Sequence, residues 1–311
     1  MTDGLLIRAL AGFYYVRPDS PPLEGCPKGG VVSPDQLIEC RARGIFRKTG
    51  ESPLVGDRVT ISETEDGKGV VESIHPRKNA FVRPPVANID CMILLASAVN
   101  PVTDPFLIDR ITAIAQTHNA ESIICINKTD LHTGDELFAI YEAAGFPTIR
   151  TSAVTGEGIE QLRTEIAGKI CAFVGNSGVG KSSMLNALEP GFTIKTAEVS
   201  QKLGRGRHTT RHVELYTLGN NTLVADTPGF SSFDIEKMEL TVEGELQFAF
   251  HEFLPYIGHC QFRDCTHIAE PGCAVLEALR EGKIGPIRHA SYVRLYKQAK
   301  EIKHWERKAK H

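Results

Sequence analysis

A chain of 311 residues with 41% hydrophobic and 23% charged positions has room for two or three packed domains, which excludes a disordered or fibrous protein. No apolar stretch approaches the roughly 20 residues of a membrane span, so a cytoplasmic protein without a membrane partner is expected. The formal net charge of −3 excludes a uniformly basic nucleic-acid binder, but Lys and Arg dominate 195–211 and 280–311, where local basic faces suit phosphate backbones.

Residues 1–83 carry short β-like runs at Gly12–Val16, Leu37–Arg41, Arg58–Ile61 and Val70–Ile74, separated by Gly and Pro. This pattern predicts a small five-stranded barrel. Pro18 to Pro34 has no periodicity and reads as a long loop. Basic residues near the aromatic-flanked loops (Arg41, Arg43, Arg47, Lys48) suit RNA, as in OB-folds. A barrel used only for protein contacts is the alternative.

Residues 84–233 alternate apolar strand-like runs (Asp90–Leu95, Ser122–Ile126, Pro147–Arg150, Ile170–Val174, Thr222–Ala225) with helical patterns at Phe106–Thr117 and Ile159–Ala167. Alternation of this kind predicts a doubly wound α/β domain with ligand at the strands' C-terminal ends. The first motif, Asn127, Lys128, Thr129 and Asp130, leaves such a strand. An Asp carboxylate there accepts from guanine N1–H and its 2-amino group together, and adenine lacks that donor pair. Thr151, Ser152 and Ala153 follow as a short loop whose backbone supports the guanine carbonyl. Alone, the tetrapeptide also fits an ordinary surface loop.

The second motif runs Gly175, Asn176, Ser177, Gly178, Val179, Gly180, Lys181, Ser182, with Ser183 continuing into a helix. Its glycines let backbone N–H groups face inward, and phosphate sits at the helix N-terminus. Lys181 reaches the β- and γ-phosphates, and Ser182 offers its hydroxyl to Mg²⁺. Asp226 closes the next strand and meets Mg²⁺ through water, while the Gly229 N–H meets the γ-phosphate. Between them the basic loop Leu203–Arg211 supplies Thr210 to complete the Mg²⁺ shell. The same loop also fits simple RNA-phosphate binding. Phe230 stands where many G proteins place the glutamine that orients water, which predicts slow intrinsic hydrolysis. His208, Arg205 and Arg207 are in-chain candidates for the missing group, with a solvated RNA-facing loop as the plainer reading.

The base motif precedes the phosphate loop, the reverse of the usual order, so the chain reads as a circularly permuted G domain for GTP and GDP. Permutation makes the Asp226–Gly229 switch the last part of that domain, feeding directly into residues 234–311. There Cys260, Cys265, His267 and Cys273 form a Cys₃His set. Such a set closes the tetrahedral shell of one structural Zn²⁺. Buried thiols beside a surface His are the alternative; the other five of eight cysteines are scattered singly, against a disulfide framework. Tyr292, Leu295, Ala299 and Ile302 fall on one face of a final helix, a stripe expected to pack within the domain.

This motif order, with the Cys/His set, Pro53–Arg58, Arg83–Pro85 and Glu270–Val275, resembles the small ribosomal subunit biogenesis GTPase A family (RsgA) over nearly the whole chain. The resemblance implies an N-terminal OB-fold, a permuted GTPase domain and a C-terminal zinc domain. It also implies a late role in maturation of the 30S subunit through 16S rRNA, with hydrolysis stimulated by that particle. A monomer is expected. An RNA-binding scaffold stabilised by nucleotide and zinc, with little turnover, is the alternative function.

Overall fold

The computed structural model describes residues 1–19, 37–46, 50–64, 66–81, 85–189, 213–226 and 244–309, the side chains of 226 and 302–309 excepted. The chain divides into two compact units: Met1–Asp90 with Ile166–Phe173 and Lys195–Phe230, and Cys91–Glu165 with Val174–Ile194 and Ser231–His311.

In the first unit, strands β1 (Thr2–Leu10), β2 (Phe13–Pro18), β3 (Ile38–Ala42), β4 (Arg58–Glu63) and β5 (Gly69–Ile74) pair in the order β1-β2-β3-β5-β4. Thr2–Leu5 of β1 then pairs with β4, which closes the barrel. Four of these strands match the expected runs, whereas β1 has no counterpart among them. A bulge between Leu6 and Arg8 bends β1, as an unpaired extra residue does. Beyond the bend, Arg8 and Ala9 pair antiparallel with Glu214 and Val213 of β12 (Val213–Leu218). Leu6, Val16, Cys40, Val59, Ile61 and Val71 are buried inside the barrel. Burial pushes the Cys40 thiol up to about 12.

The Pro53–Arg58 motif has a structural reason. Gly56 lies at φ +93, and a Cβ there would strike the Ala87 carbonyl oxygen. Asp57 is fully buried and receives both Arg77 Nε (2.7 Å) and an Arg77 terminal nitrogen (2.8 Å). The unit also holds β6 (Ala80–Phe81), β7 (Val86–Ala87) and, up to Phe173, β11 (Ile170–Val174), which pairs in parallel with β13 (Thr222–Asp226).

The second unit contains the parallel strands β8 (Cys91–Ser97), β9 (Glu121–Asn127) and β10 (Thr148–Arg150). All seven residues of β8 are buried, which is why the run reads as continuously apolar. Helix α1 (Pro105–Thr117) links β8 to β9; Asp104 caps it by accepting from the Phe106 N–H, and Pro105 opens it. Helices α2 (Asp135–Ala143), α3 (Ile159–Glu165) and α4 (Lys181–Leu188) follow.

Helices α5 (Ala274–Arg280) and α6 (Pro286–Ala309) complete this unit with two 3₁₀ turns at Leu246–Ala249 and His251–Phe253. Phe250, Phe253 and Tyr292 meet at ring distances of 4.9–5.3 Å and share a core with Val275, Ile284, Leu295 and Ala113 of α1. Tyr292, Leu295 and Ala299 of the expected stripe are therefore packed inside; the Ile302 side chain lies outside the described residues. Arg288, counted from sequence among the basic residues of 280–311, is only 1% exposed. It pairs with Asp109 of α1 and with Glu252, each at 2.7 Å, and stacks over Phe250 and Phe146. Its charge serves the interior.

Candidate nucleotide site and metal centre

Strand β9 ends at Asn127, where its buried apolar run gives way to polar side chains. Asn127 is 3% exposed, and its amide donates to the Val179 carbonyl at 2.8 Å. One hydrogen bond thus fastens the base motif to the phosphate loop, 52 residues apart. Lys128 takes a left-handed φ of +65, and its Nζ donates to the Asn100 carbonyl at 2.7 Å. The Thr129 hydroxyl lies 2.7 Å from Glu157 Oε2 and 2.9 Å from the Thr151 carbonyl. Asp130 is exposed, and its Oδ1 accepts from the buried Ser152 hydroxyl at 2.6 Å. That hydroxyl in turn accepts from the Val154 and Thr155 N–H groups. These bonds hold the carboxylate in one orientation, and Ala153 follows in the adjoining turn.

The phosphate loop obeys its glycines. Gly175, Gly178 and Gly180 have φ of +152, +80 and +107, values that L side chains rarely adopt. A Cβ on Gly175 would strike the Leu95 carbonyl oxygen, and one on Gly180 the Asn127 amide. Asn176 is half-buried, Ser177 exposed and Val179 buried beneath. Lys181, Ser182 and Ser183 form the first turn of α4, whose N-cap, Gly180, offers no side-chain acceptor. The first-turn N–H groups are therefore available to an anion. Lys181 Nζ donates to the Gly175 carbonyl at 2.6 Å and the Asn176 carbonyl at 2.9 Å. Burial lowers its pKa to about 8.

Ala225 pairs with Ala172 of β11, which sets the Asp226 backbone at the C-terminal end of β13, level with Phe173. Its side chain, and Arg205, Arg207, His208, Thr210, Gly229 and Phe230, lie outside the described residues.

The ligating atoms of Cys260, Cys265, His267 and Cys273 all lie within 4.8 Å of one another. A tetrahedral zinc with ordinary bond lengths separates two sulfurs by about 3.8 Å and sulfur from nitrogen by about 3.6 Å. The observed separations are 3.8 Å for Cys260–Cys273, and 3.5 and 3.4 Å from His267 Nδ1 to those two sulfurs. The donor set fits the ion. His267 Nδ1 faces the sulfurs, so Nε2 carries the proton and donates to Gln247 Oε1 at 2.8 Å, fixing the ring. Glu270 organises the ligand loop by accepting from the Thr266, Ile268 and Ala269 N–H groups. Against burial, which would raise it, those bonds and the Thr266 hydroxyl hold the Glu270 carboxyl at about 2. Neither Gln247 nor the work of Glu270 was read from sequence, since nothing in their spacing marks them as partners of the ligands.

Comparison with known proteins gives a consistent result. The family described as RsgA GTPase matches residues 74–236, just over half of the chain, and the RsgA N-terminal domain matches 30–71. The small ribosomal subunit biogenesis GTPase RsgA of Geobacillus sp. (strain WCH70) is 43% identical over 309 residues, covering 97% of this chain and 99% of that one. Its counterpart in Geobacillus thermodenitrificans (strain NG80-2) is 42% identical with the same coverage. Among solved structures, YjeQ from Thermotoga maritima superposes with a TM-score of 0.77 at 33% identity, covering 96% of this chain and 98% of that one. YloQ, a circularly permuted GTPase, gives 0.75 at 34% identity, covering 97% and 96%.

Proposed function

Because the chain belongs to the RsgA GTPase family, we propose that it hydrolyses GTP while binding the 30S subunit through 16S rRNA, and so assists late maturation of that particle. The observation that carries the reading is the Asn127–Val179 bond, which joins a guanine-reading motif to a phosphate loop. In this reading Asp130 accepts from guanine, Ser152 and Ala153 support the base carbonyl, and Asn127 with Thr129 braces the two loops. Lys181 exchanges its two loop carbonyls for the β- and γ-phosphates. Asn176 to Ser183 wrap the phosphates, and Gly229 donates its N–H to the γ-phosphate.

Ser182, Thr210 and Asp226 would hold Mg²⁺, an all-oxygen set suited to that ion. Mg²⁺, when bound, neutralises charge on the transferring phosphoryl group. With Phe230 in the glutamine position, the 30S particle stimulates hydrolysis and His208 is the in-chain candidate to assist. Residues 1–83 serve as the RNA-binding barrel, 84–233 as the GTPase domain and 234–311 as the domain built on one structural zinc. No helix among the described residues is long and apolar enough to cross a membrane. We place the protein in the cytoplasm as a monomer.

The test is GTP turnover by the purified chain with and without 30S subunits, with ATP and 50S subunits as controls. Large stimulation by 30S alone, with ATP inert, is expected, and Lys181→Ala loses turnover while keeping RNA binding. Phe230 favours one other reading, a scaffold stabilised by nucleotide and zinc. Flat, slow turnover under every condition would select it.

A further inference from the structure

The segment joining β8 to α1 carries no recognised motif, yet it touches both nucleotide motifs. It closes on itself. The Thr103 N–H donates to the Ser97 carbonyl (2.9 Å), and the Ser97 N–H donates to the Thr103 hydroxyl oxygen (3.0 Å). Inside that clasp the Ser97 hydroxyl donates to the Val99 carbonyl and accepts from the Val99 N–H. Ser97 and Thr103 are 0% and 2% exposed, so the clasp sits in the interior while the loop tip faces out. At the tip, the Asn100 carbonyl accepts from Lys128 Nζ at 2.7 Å. Pro101 stands 3.5 Å from where a Gly178 Cβ would be.

A free lysine samples many rotamers, and fixing its far end removes most of that freedom. Lys128 lies between Asn127, tied to the phosphate loop, and Asp130, tied to Ser152. Its far end is thus fixed in a stretch whose residues on either side are fixed as well. We propose that the Ser97–Thr103 loop is a positioning element for guanine: it anchors the Lys128 ammonium at the Asn100 carbonyl, so that the aliphatic stem covers one face of the ring. Thr103 is a positioning residue, acting through the loop and Lys128 without touching the nucleotide. The proposal rests on the guanine-nucleotide reading above. It explains how a half-buried lysine is preorganised before binding, so that little ordering remains to oppose association.

The test measures binding of fluorescently labelled GDP and steady-state GTP hydrolysis. Unmodified protein is first compared for GDP against ADP; failure to prefer GDP overturns both the guanine reading and this proposal. With GDP preference in hand, Thr103→Val removes the hydroxyl acceptor at nearly constant shape and leaves the Ser97 N–H unpaired. GDP affinity should fall about five- to twentyfold and KM for GTP rise by a similar factor, with kcat unchanged. Thr103→Ser should restore both. In a Lys128→Met background, Thr103→Val should cost nothing further. Additive losses, or a lowered melting temperature with unchanged GDP affinity, would overturn the proposal by showing that Thr103 serves the fold alone. Should Thr103→Val not fold, Ser97→Ala in the same cycle separates the same two outcomes.

Discussion

Replacing Arg288 by Met tests the buried ion cluster of the second unit. The guanidinium donates to Glu252 at 2.7 and 3.1 Å and to Asp109 at 2.7 Å, and Asp109, the more deeply buried partner, is 0% exposed. Met fills similar volume but takes away the cationic partner of the Asp109 carboxylate, leaving it to its neutral hydrogen-bond donors Ser291 and Tyr141. That group then keeps its proton rather than ionise in the interior. Taking up a proton at pH 7 costs about 1.4 kcal/mol for each pH unit above the unfolded value of about 3.9, so at most about 4 kcal/mol. Breaking buried pairs costs about 3–5 kcal/mol, the same range. The sign with pH follows. Burial already raises the Asp109 pKa, against the pull of Arg288, and removing Arg288 raises it further. A carboxylate raised in the folded state favours folding at low pH and loses that contribution as pH rises through its folded value. Wild type and variant therefore differ least near pH 5 and most near pH 8. Urea unfolding at pH 5, 7 and 8, followed by far-ultraviolet circular dichroism, reads the difference. A loss below about 1 kcal/mol at pH 7, or a loss independent of pH, would refute the reasoning.

Three further outcomes are expected. Because burial lowers Lys181 to about 8 and a bound phosphate raises it again, GDP binding takes up a proton; affinity is full below pH 8 and falls above it. Isothermal titration between pH 6.5 and 9 should show this break in wild type and none in Lys181→Ala. Gln247→Ala removes the acceptor for His267 Nε2 and should weaken zinc binding about 10- to 100-fold in competition with a chromophoric chelator; unchanged affinity would deny Gln247 its role. Gly180→Ala forces a side chain onto φ +107 and against the Asn127 amide. It should lower GDP affinity by about one to two orders of magnitude, and wild-type affinity would show that the loop yields there.

The local chemistry was legible because each signal lies within a few residues. Gly175 to Ser182 must turn tightly and present N–H groups, and only that glycine spacing does so. Cys260 to Cys273 spans a single ligand loop, so the donor set shows in the spacing itself. The apolar runs of β8 and β9 are buried on both faces and could be read without partners. Strand β12 is absent from the expected runs: Val213 and Leu215 are buried with half-buried Glu214 between them, but the adjoining basic loop masks that short alternation. Helix α2 is likewise missing from the expected helices, although Asp135 and Glu136 stand in its first turn, where acidic residues favour a helix start.

Strand β1 was not readable in the same way. Gly4 sits in its middle, and the Leu6/Arg8 bulge breaks its period; β2, β4 and β12 supply its hydrogen bonds from far along the chain. In the sequence Arg288 is one more cation of a basic segment, and only folding sets Asp109, 179 residues away, against it. The loop clasp of Ser97 and Thr103, the Gln247 bond and the Asn100–Lys128 contact carry no spacing rule at all. By itself, the sequence determined the tight glycine turn of Gly175 to Ser182 and the Cys₃His donor set, because turns and coordination shells dictate residue types at short range. Tertiary structure alone decided which polar groups brace those sites and which charges lie inside, because desolvation and hydrogen-bond geometry depend on neighbours that the chain brings together only on folding.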